Sequence, residues 1–289
     1  MFQAKLMISN PKSFIMKYRL LKITFFLIQE GIGMNFSEKV VLITGAAGGI
    51  GIAAAKKFAA EGAKLALVDL KKESLANVAA EISSEDILLL EGNVAIEEDV
   101  KNFVEATKDH FGRIDVFINN AGINGKFANL VDQTAENFDA VINVNLKGVF
   151  YGLKYVLKVM NEQKSGAIVN TASNGGLLGA PGMGLYVASK HGVIGLTKTA
   201  ALEGAPYNVR VNAVAPSGVD TQMMRSIETN AMPGNEGNAK EQFEASVPMN
   251  RYATAEEIAN LMAFLASEEA SFISGTYYRI DGGQGATSA

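Results

Sequence analysis

Three side chains within one short stretch could act together on a single proton: the hydroxyl of Ser173, the phenol of Tyr186 and the ammonium of Lys190. Tyr186 and Lys190 are four apart, so a helix over 186–199 stacks them on one face. A free phenol, with a pKa of about 10, is no base at neutral pH. A unit positive charge about 5 Å away, at an effective dielectric of about 20, is worth roughly 3 kcal/mol, on the order of two pKa units. The spacing therefore predicts a phenol drawn down by Lys190 toward the range of a working general acid/base. Ser173 follows the apolar run 167–172, which reads as a buried strand. Strand ends are where an open parallel sheet presents its chemistry. The loop 174–185 holds five glycines and Pro181, so it can fold back over a small pocket. A Tyr and a Lys four apart are more often a solvated helix face, so the elements around them have to decide.

Those elements alternate along the chain. A β-branched run, Val40 to Ile43, leads into Thr44-Gly45-Ala46-Ala47-Gly48-Gly49-Ile50-Gly51 and then a helical pattern over 50–60. Strand, glycine turn and helix N-terminus make an anion site, because the first amides of the helix lack partners and its dipole favours a phosphate. The next run, 65–68, ends at Asp69, an acid placed to accept from both hydroxyls of an adenosine ribose and to repel a 2′-phosphate. NAD is favoured over NADP on that ground. A third strand is expected at 87–90, an amphipathic helix at 97–111, a fourth strand at 116–118 running into Asn119-Asn120-Ala121-Gly122, and a long helical stretch containing Asn143 and Asn145. Asn is a poor helix former, and its cost in a helix interior is easier to explain where a carbonyl opens to a water. Further strands are expected at 209–215, before Pro216-Ser217-Gly218-Val219-Asp220-Thr221, and at 277–280. Strands alternating with helices throughout predict a doubly wound, mainly parallel Rossmann-type α/β sheet of about seven strands in one domain, 34–289.

TGxxxGxG at 44–51, NNAG at 119–122, and Ser173 thirteen residues before the YxxxK of Tyr186 and Lys190 resemble the short-chain dehydrogenase/reductase family, and the likeness runs from about 34 to 283. The resemblance implies hydride transfer between nicotinamide and a secondary alcohol or its ketone, with no metal. Tyr186 would exchange the hydroxyl proton and Ser173 would bond the same oxygen. Lys190 would lower the Tyr186 pKa and hold the nicotinamide ribose, and Asn145 would hold a relay water. The implied cofactor contacts are Gly45, Gly49, Ile50 and Gly51 at the phosphates, Asp69 at the ribose, and Asn93 and Val94 at the adenine. Asn120, Ala121 and Gly122 come from the fourth strand end, Tyr186 and Lys190 from the long helix, and Pro216, Val219 and Thr221 from the nicotinamide side. Ser217 departs from the family's usual Pro-Gly, and Gly48 stands where NADP-using relatives often carry a base, although Lys71 and Lys72 lie near Asp69. The resemblance also implies a homotetramer, with Val193, Leu196 and Ala200 available to a partner and the last strand making a second contact. A β-ketoacyl reductase is an alternative that Asp69 disfavours, and a catalytically silent dinucleotide sensor is one that the intact Ser173, Tyr186, Lys190 and Asn145 disfavour.

Composition sets the outer bounds. A chain of 289 residues can bury a full core. Its net charge of −4 gives no footprint for nucleic acid. It has no cysteine, which excludes disulfides and thiolate chemistry, and its two histidines are too few for a typical histidine metal site. Residues 1–33 carry Lys5, Lys12, Lys17, Arg19 and Lys22 against Glu30, and their longest apolar run, 23–28, is far short of a membrane span. This extension is expected to be non-essential, with Met34 as the working start and a cytoplasmic location. The segment 222–250 is expected to be a lid over the substrate, hinged at Pro233-Gly234 and Gly237. Met223, Met224, Met232, Met249, Ile227 and Phe243, with Met183 and Leu178, would make the pocket apolar, with Arg225 the one exception, placed either to pair with a charged substrate or to point to solvent. A neutral, cyclic or steroid-like alcohol or ketone is expected.

Overall fold

The computed structural model describes residues 34–82, 84 and 86–286; the expected extension, 1–33, lies outside them. Seven strands form one sheet: β1 Val40–Thr44, β2 Lys64–Asp69, β3 Ile87–Glu91, β4 Val116–Asn119, β5 Gly166–Thr171, β6 Val209–Pro216 and β7 Tyr277–Ile280. Their spatial order is β3-β2-β1-β4-β5-β6-β7, and every neighbouring pair is parallel. The chain order reverses beside β1, so the crevice at the C-terminal ends of β1 and β4 is the switch point where such sheets take ligands. Parallel strands covered on both faces need continuous apolar runs. All five residues of β1 are buried, as are all four of β4.

The helices are α1 Gly49–Ala60, α2 Lys72–Ala80, α3 Glu97–Phe111, α4 Ala135–Ile142, α5 Gly148–Gln163, α6 Gly184–Gly204, α7 Gln222–Ala231, α8 Glu236–Ala245 and α9 Ala255–Ala266. One core gathers Phe103 of α3, Val156 and Met160 of α5 and Val193 of α6 against Leu42, Phe117, Ile168 and Val211 of the sheet. Strand side chains alternate between faces, and α1 packs with α9. α6 is longer than its predicted 186–199. It begins after Gly182, whose φ of 78° turns the chain, and the helix formers Ala200, Ala201 and Leu202 carry it on to Gly204. The expected long helix around Asn145 is two helices joined by a π turn, Asn143–Lys147. The segment 222–250 holds α7 and α8, with Gly234 at φ 78° between them. Among the described residues no helix is long and apolar enough to cross a membrane.

Candidate active site

Ser173 stands just past β5 and caps the 3-10 turn Asn174–Gly176, its Oγ accepting from the Gly175 N–H at 3.1 Å. That bond orients the hydroxyl, which hydrogen-bonds the Tyr186 phenol. Lys190, one turn along α6, is buried, and its Nζ donates to the Thr171 carbonyl at 2.7 Å and lies 5.7 Å from the centroid of the Tyr186 ring. β5 thus supplies the hydroxyl at its end and holds the ammonium through its last carbonyl. The expected drop in the Tyr186 pKa is not what the isolated chain shows. Burial pushes the phenol up, the Ser173 bond offsets part of that, and burial brings Lys190 down to about 8. Dehydration of the phenol outweighs an ammonium held on a carbonyl beyond the ring.

Asn145, fully buried in the π turn, grips the backbone of Ile123 from both sides: Nδ2 donates to Ile123 O and Oδ1 accepts from Ile123 N–H, each at 2.8 Å. Its Nδ2 also donates to Ser189 Oγ at 3.1 Å. A Cβ at Gly122 would lie 3.3 Å from Asn145 Oδ1 and 3.4 Å from Lys190 Nζ, so this glycine keeps the amide and the ammonium close. π turns break the regular i→i−4 ladder and are frequent at functional sites.

A cavity of about 650 Å³ opens at the switch point, within the usual size of ligand sites. Gly45, Gly49, Ile50, Asp69, Asn93, Val94, Asn120, Ala121, Gly122, Ser173, Tyr186, Lys190, Pro216, Val219 and Thr221 all line it. Asn145 and Gly51 do not. Gly51 serves packing instead, since a Cβ there would overlap the Gly45 carbonyl and push α1 away from the turn. Gly45 has φ 65° and a Cβ would lie 2.9 Å from Ala121 Cα, so only glycine lets the loop lie against β4's end. The first bond of α1 runs from Ile52 N–H to Gly48 O, which puts the amides of Gly49, Ile50 and Gly51 ahead of the helical ladder. Asp69 Oδ2 accepts from the Ala47 N–H at 2.9 Å, tying its carboxylate to the glycine loop. Lys71 and Lys72 are not among the residues that line the cavity. A glycine cradle, unpaired helix amides and an anchored acid fit the pyrophosphate and adenosine ribose of a nicotinamide dinucleotide.

A family model described as enoyl-(acyl carrier protein) reductase matches residues 45–284. Levodione reductase of Leifsonia aquatica is 46% identical over 256 residues, covering 87% of this chain and 96% of that one. A crystal structure of levodione reductase aligns with a TM-score of 0.86 at 45% identity, over 88% of this chain and 100% of that one. The chain belongs to the short-chain dehydrogenase/reductase family. A 3-oxoacyl-(acyl-carrier-protein) reductase of Thermotoga maritima is 44% identical, over 86% of this chain and 99% of that one. Cyclohexanol dehydrogenase of an Acinetobacter species is 38% identical, over 86% and 95%. As a short-chain dehydrogenase/reductase, the chain is a nicotinamide-dependent oxidoreductase acting on alcohols and ketones.

On the substrate side of this short-chain dehydrogenase/reductase, Met183, Met223, Met224, Ile227 and Phe243 line the cavity as expected. Met232, Met249 and Leu178 do not, and Met249 and Leu178 are exposed. Arg225 is also absent from the lining. It does not point freely to solvent either, because its Nη2 pairs with Asp220 at 2.9 Å and Glu228 at 3.3 Å. Ser246, Tyr252 and Gln284 join the wall without any signal in local spacing, because the fold brings them from segments distant in sequence. Of the residues available to a partner, Val193 and Ala200 are buried in the chain's own core, and Leu196 packs against it. Phe150 on α5 and Tyr277 on the edge strand β7 are the exposed apolar side chains of those elements.

Proposed function

We propose that this enzyme oxidises a neutral, apolar, cyclic secondary alcohol, or reduces its ketone, with NAD. The observation that carries the reading is the single cavity that has Asp69 and the glycine loop at one end and Ser173, Tyr186 and Lys190 at the other, beneath a methionine-rich wall. Bound in the cradle, the nicotinamide ring supplies the hydride acceptor or donor. The Tyr186 phenol takes the alcohol's proton, or returns it to the ketone oxygen, and the Ser173 hydroxyl holds that oxygen against it. Lys190 fixes the nicotinamide ribose and, when charged, favours the phenolate. Asn145 holds Ile123 and the helix beside Lys190 in register, and we assign it the water that refills the proton.

Among the described residues lining the cavity, Lys190 is the one cation, so no guanidinium or second ammonium waits for a substrate carboxylate or phosphate. The likeness to a 3-oxoacyl reductase keeps a thioester substrate in view, and Asp69 speaks against the NADP such enzymes usually prefer. A panel of cyclohexanol-like and steroid alcohols against charged hydroxy acids and a β-ketoacyl thioester tests the reading. The neutral cyclic set is expected to give the higher kcat/KM. A preference for the charged set or the thioester overturns it.

The cofactor half is tested separately. Asp69→Ala removes a paired acceptor, a repulsive charge and the tie to Ala47, and is expected to weaken NAD binding by about tenfold or more. Asp69→Asn keeps the shape while removing the charge, so it should relax the bias against NADP with a smaller loss of NAD. Faster turnover of the unaltered enzyme with NADPH than with NADH at equal concentration would remove this assignment.

A further inference from the structure

Glu228 is a carboxylate buried to 2% exposure on α7, and nothing in the chemistry above uses it. Its Oε1 accepts the Tyr252 hydroxyl at 2.8 Å and meets Arg225 Nη2 at 3.3 Å. Tyr252 is itself buried and forms part of the cavity wall. Its ring is held on three sides. A Cβ at Gly218 would lie 2.7 Å from it, the Arg225 guanidinium lies 5.5 Å from its centroid, and Glu228 takes its hydroxyl. The backbone beside it closes the same knot: Ala253 N–H donates to Gly218 O at 3.0 Å and Asp220 N–H donates to Ala253 O at 2.9 Å. Gly218 and Asp220 belong to the loop assigned to the nicotinamide, and α7 starts directly after it with Met223, Met224 and Ile227 in the wall. Swinging α7 away would leave a buried carboxylate and a buried phenol without their shared bond, which is costly.

We propose that Glu228 and Tyr252 are positioning residues, whose hydrogen bond latches α7 over the substrate end of the cavity in register with the loop 216–221. The latch rests on the reading of the cavity as the site of alcohol oxidation. It acts on substrate binding at the nicotinamide end of the cavity and leaves the glycine loop, Asp69 and the Ser173, Tyr186 and Lys190 group untouched. Arg225, the one lid residue the sequence offered for a charged group, instead braces the latch through Asp220 and Glu228.

The test compares Tyr252→Phe, Glu228→Gln and their double variant, using cyclohexanol with NAD, NADH fluorescence titration, and trypsin cleavage at Lys240 in α8. Tyr252→Phe is expected to raise KM about tenfold, the cost of one hydrogen bond to a buried charge, with kcat within about threefold. NADH affinity should stay within about twofold, because the glycine loop and Asp69 lie away from the altered residue and Gly218 keeps its backbone bond to Ala253. Glu228→Gln keeps an acceptor for the hydroxyl and should retain most of the wild-type KM. The double variant should be no worse than Tyr252→Phe alone, since both changes act on one bond. Cleavage at Lys240 should quicken in Tyr252→Phe. An unchanged KM with unchanged cleavage overturns the latch, and so does a rise in KM accompanied by a parallel fall in NADH affinity and melting temperature, which would mark a merely structural bond. If the wild type turned over no alcohol, the functional reading would fall while the cleavage comparison still decided the latch.

Discussion

Tyr186→Phe is expected to lower kcat by about 10²–10⁴-fold, the range that a positioned general acid/base contributes. The change removes one oxygen from a partly buried ring on the cavity wall and with it the bond to Ser173, leaving α6, Lys190 and the glycine cradle as they were. NADH affinity should therefore change little. Steady-state rates with the best panel substrate, beside an NADH fluorescence titration, separate the two quantities. Retention of a tenth or more of kcat would remove the phenol from the reaction.

Lys190→Met is expected to strike twice. The ammonium donates to Thr171 O deep in the site, where we assign it the nicotinamide ribose, so dinucleotide affinity should fall by about tenfold or more. We also assign its charge the task of favouring the phenolate, and on that assignment the rate profile for alcohol oxidation should move to higher pH. Burial brings Lys190 from 10.5 to about 8 in the folded chain. Between those values the unfolded chain binds the extra proton, so the stability of the cofactor-free protein should rise with pH across that window, by on the order of 3 kcal/mol in full. Tyr186 opposes this at the upper end: its folded pKa is raised, so the unfolded phenol releases its proton first and stability falls above about 10. Urea midpoints of the cofactor-free protein from pH 7.5 upward should show the rise, and Lys190→Met should abolish it. A wild-type midpoint that is flat through this window would mean that the ammonium is better solvated than its burial implies.

The parts of the fold that were legible in the sequence are those where local chemistry and tertiary position agree. The runs at 40–43, 116–118 and 167–172 are apolar because both faces of a parallel sheet are covered, and Thr44-Gly45, Asn119-Asn120 and Ser173-Asn174 follow them where the crevice opens. The cavity wall was half legible. Met223, Met224 and Phe243 could be anticipated from a methionine-rich segment, whereas Tyr252 and Gln284 reach the wall only because the sheet and lid fold them there. The Tyr186 pKa was misjudged because spacing reports the neighbouring charge and is silent on dehydration, which is the larger effect. Val193 and Ala200 were left open between core and partner for a related reason: a helix pattern shows which residues share a face and not whether sheet or partner covers it. Asn143 and Asn145 marked the trouble in their helix without revealing that it takes the form of a π turn.

That turn sets the angular phase between α4 and α5. Each residue of an α-helix advances the side chains by about 100°, and the π turn absorbs one extra residue, so the same residues drawn as unbroken α-helix through Asn143–Lys147 would rotate everything after it by about that angle. Val149, Leu153, Val156 and Met160, now turned to the core, would swing away from the sheet, and exposed Phe150 would be carried toward it. The extra residue thus works as a spacer of orientation. Regular α geometry through these residues at unchanged length would therefore unseat the core and the grip of Asn145 on Ile123 together.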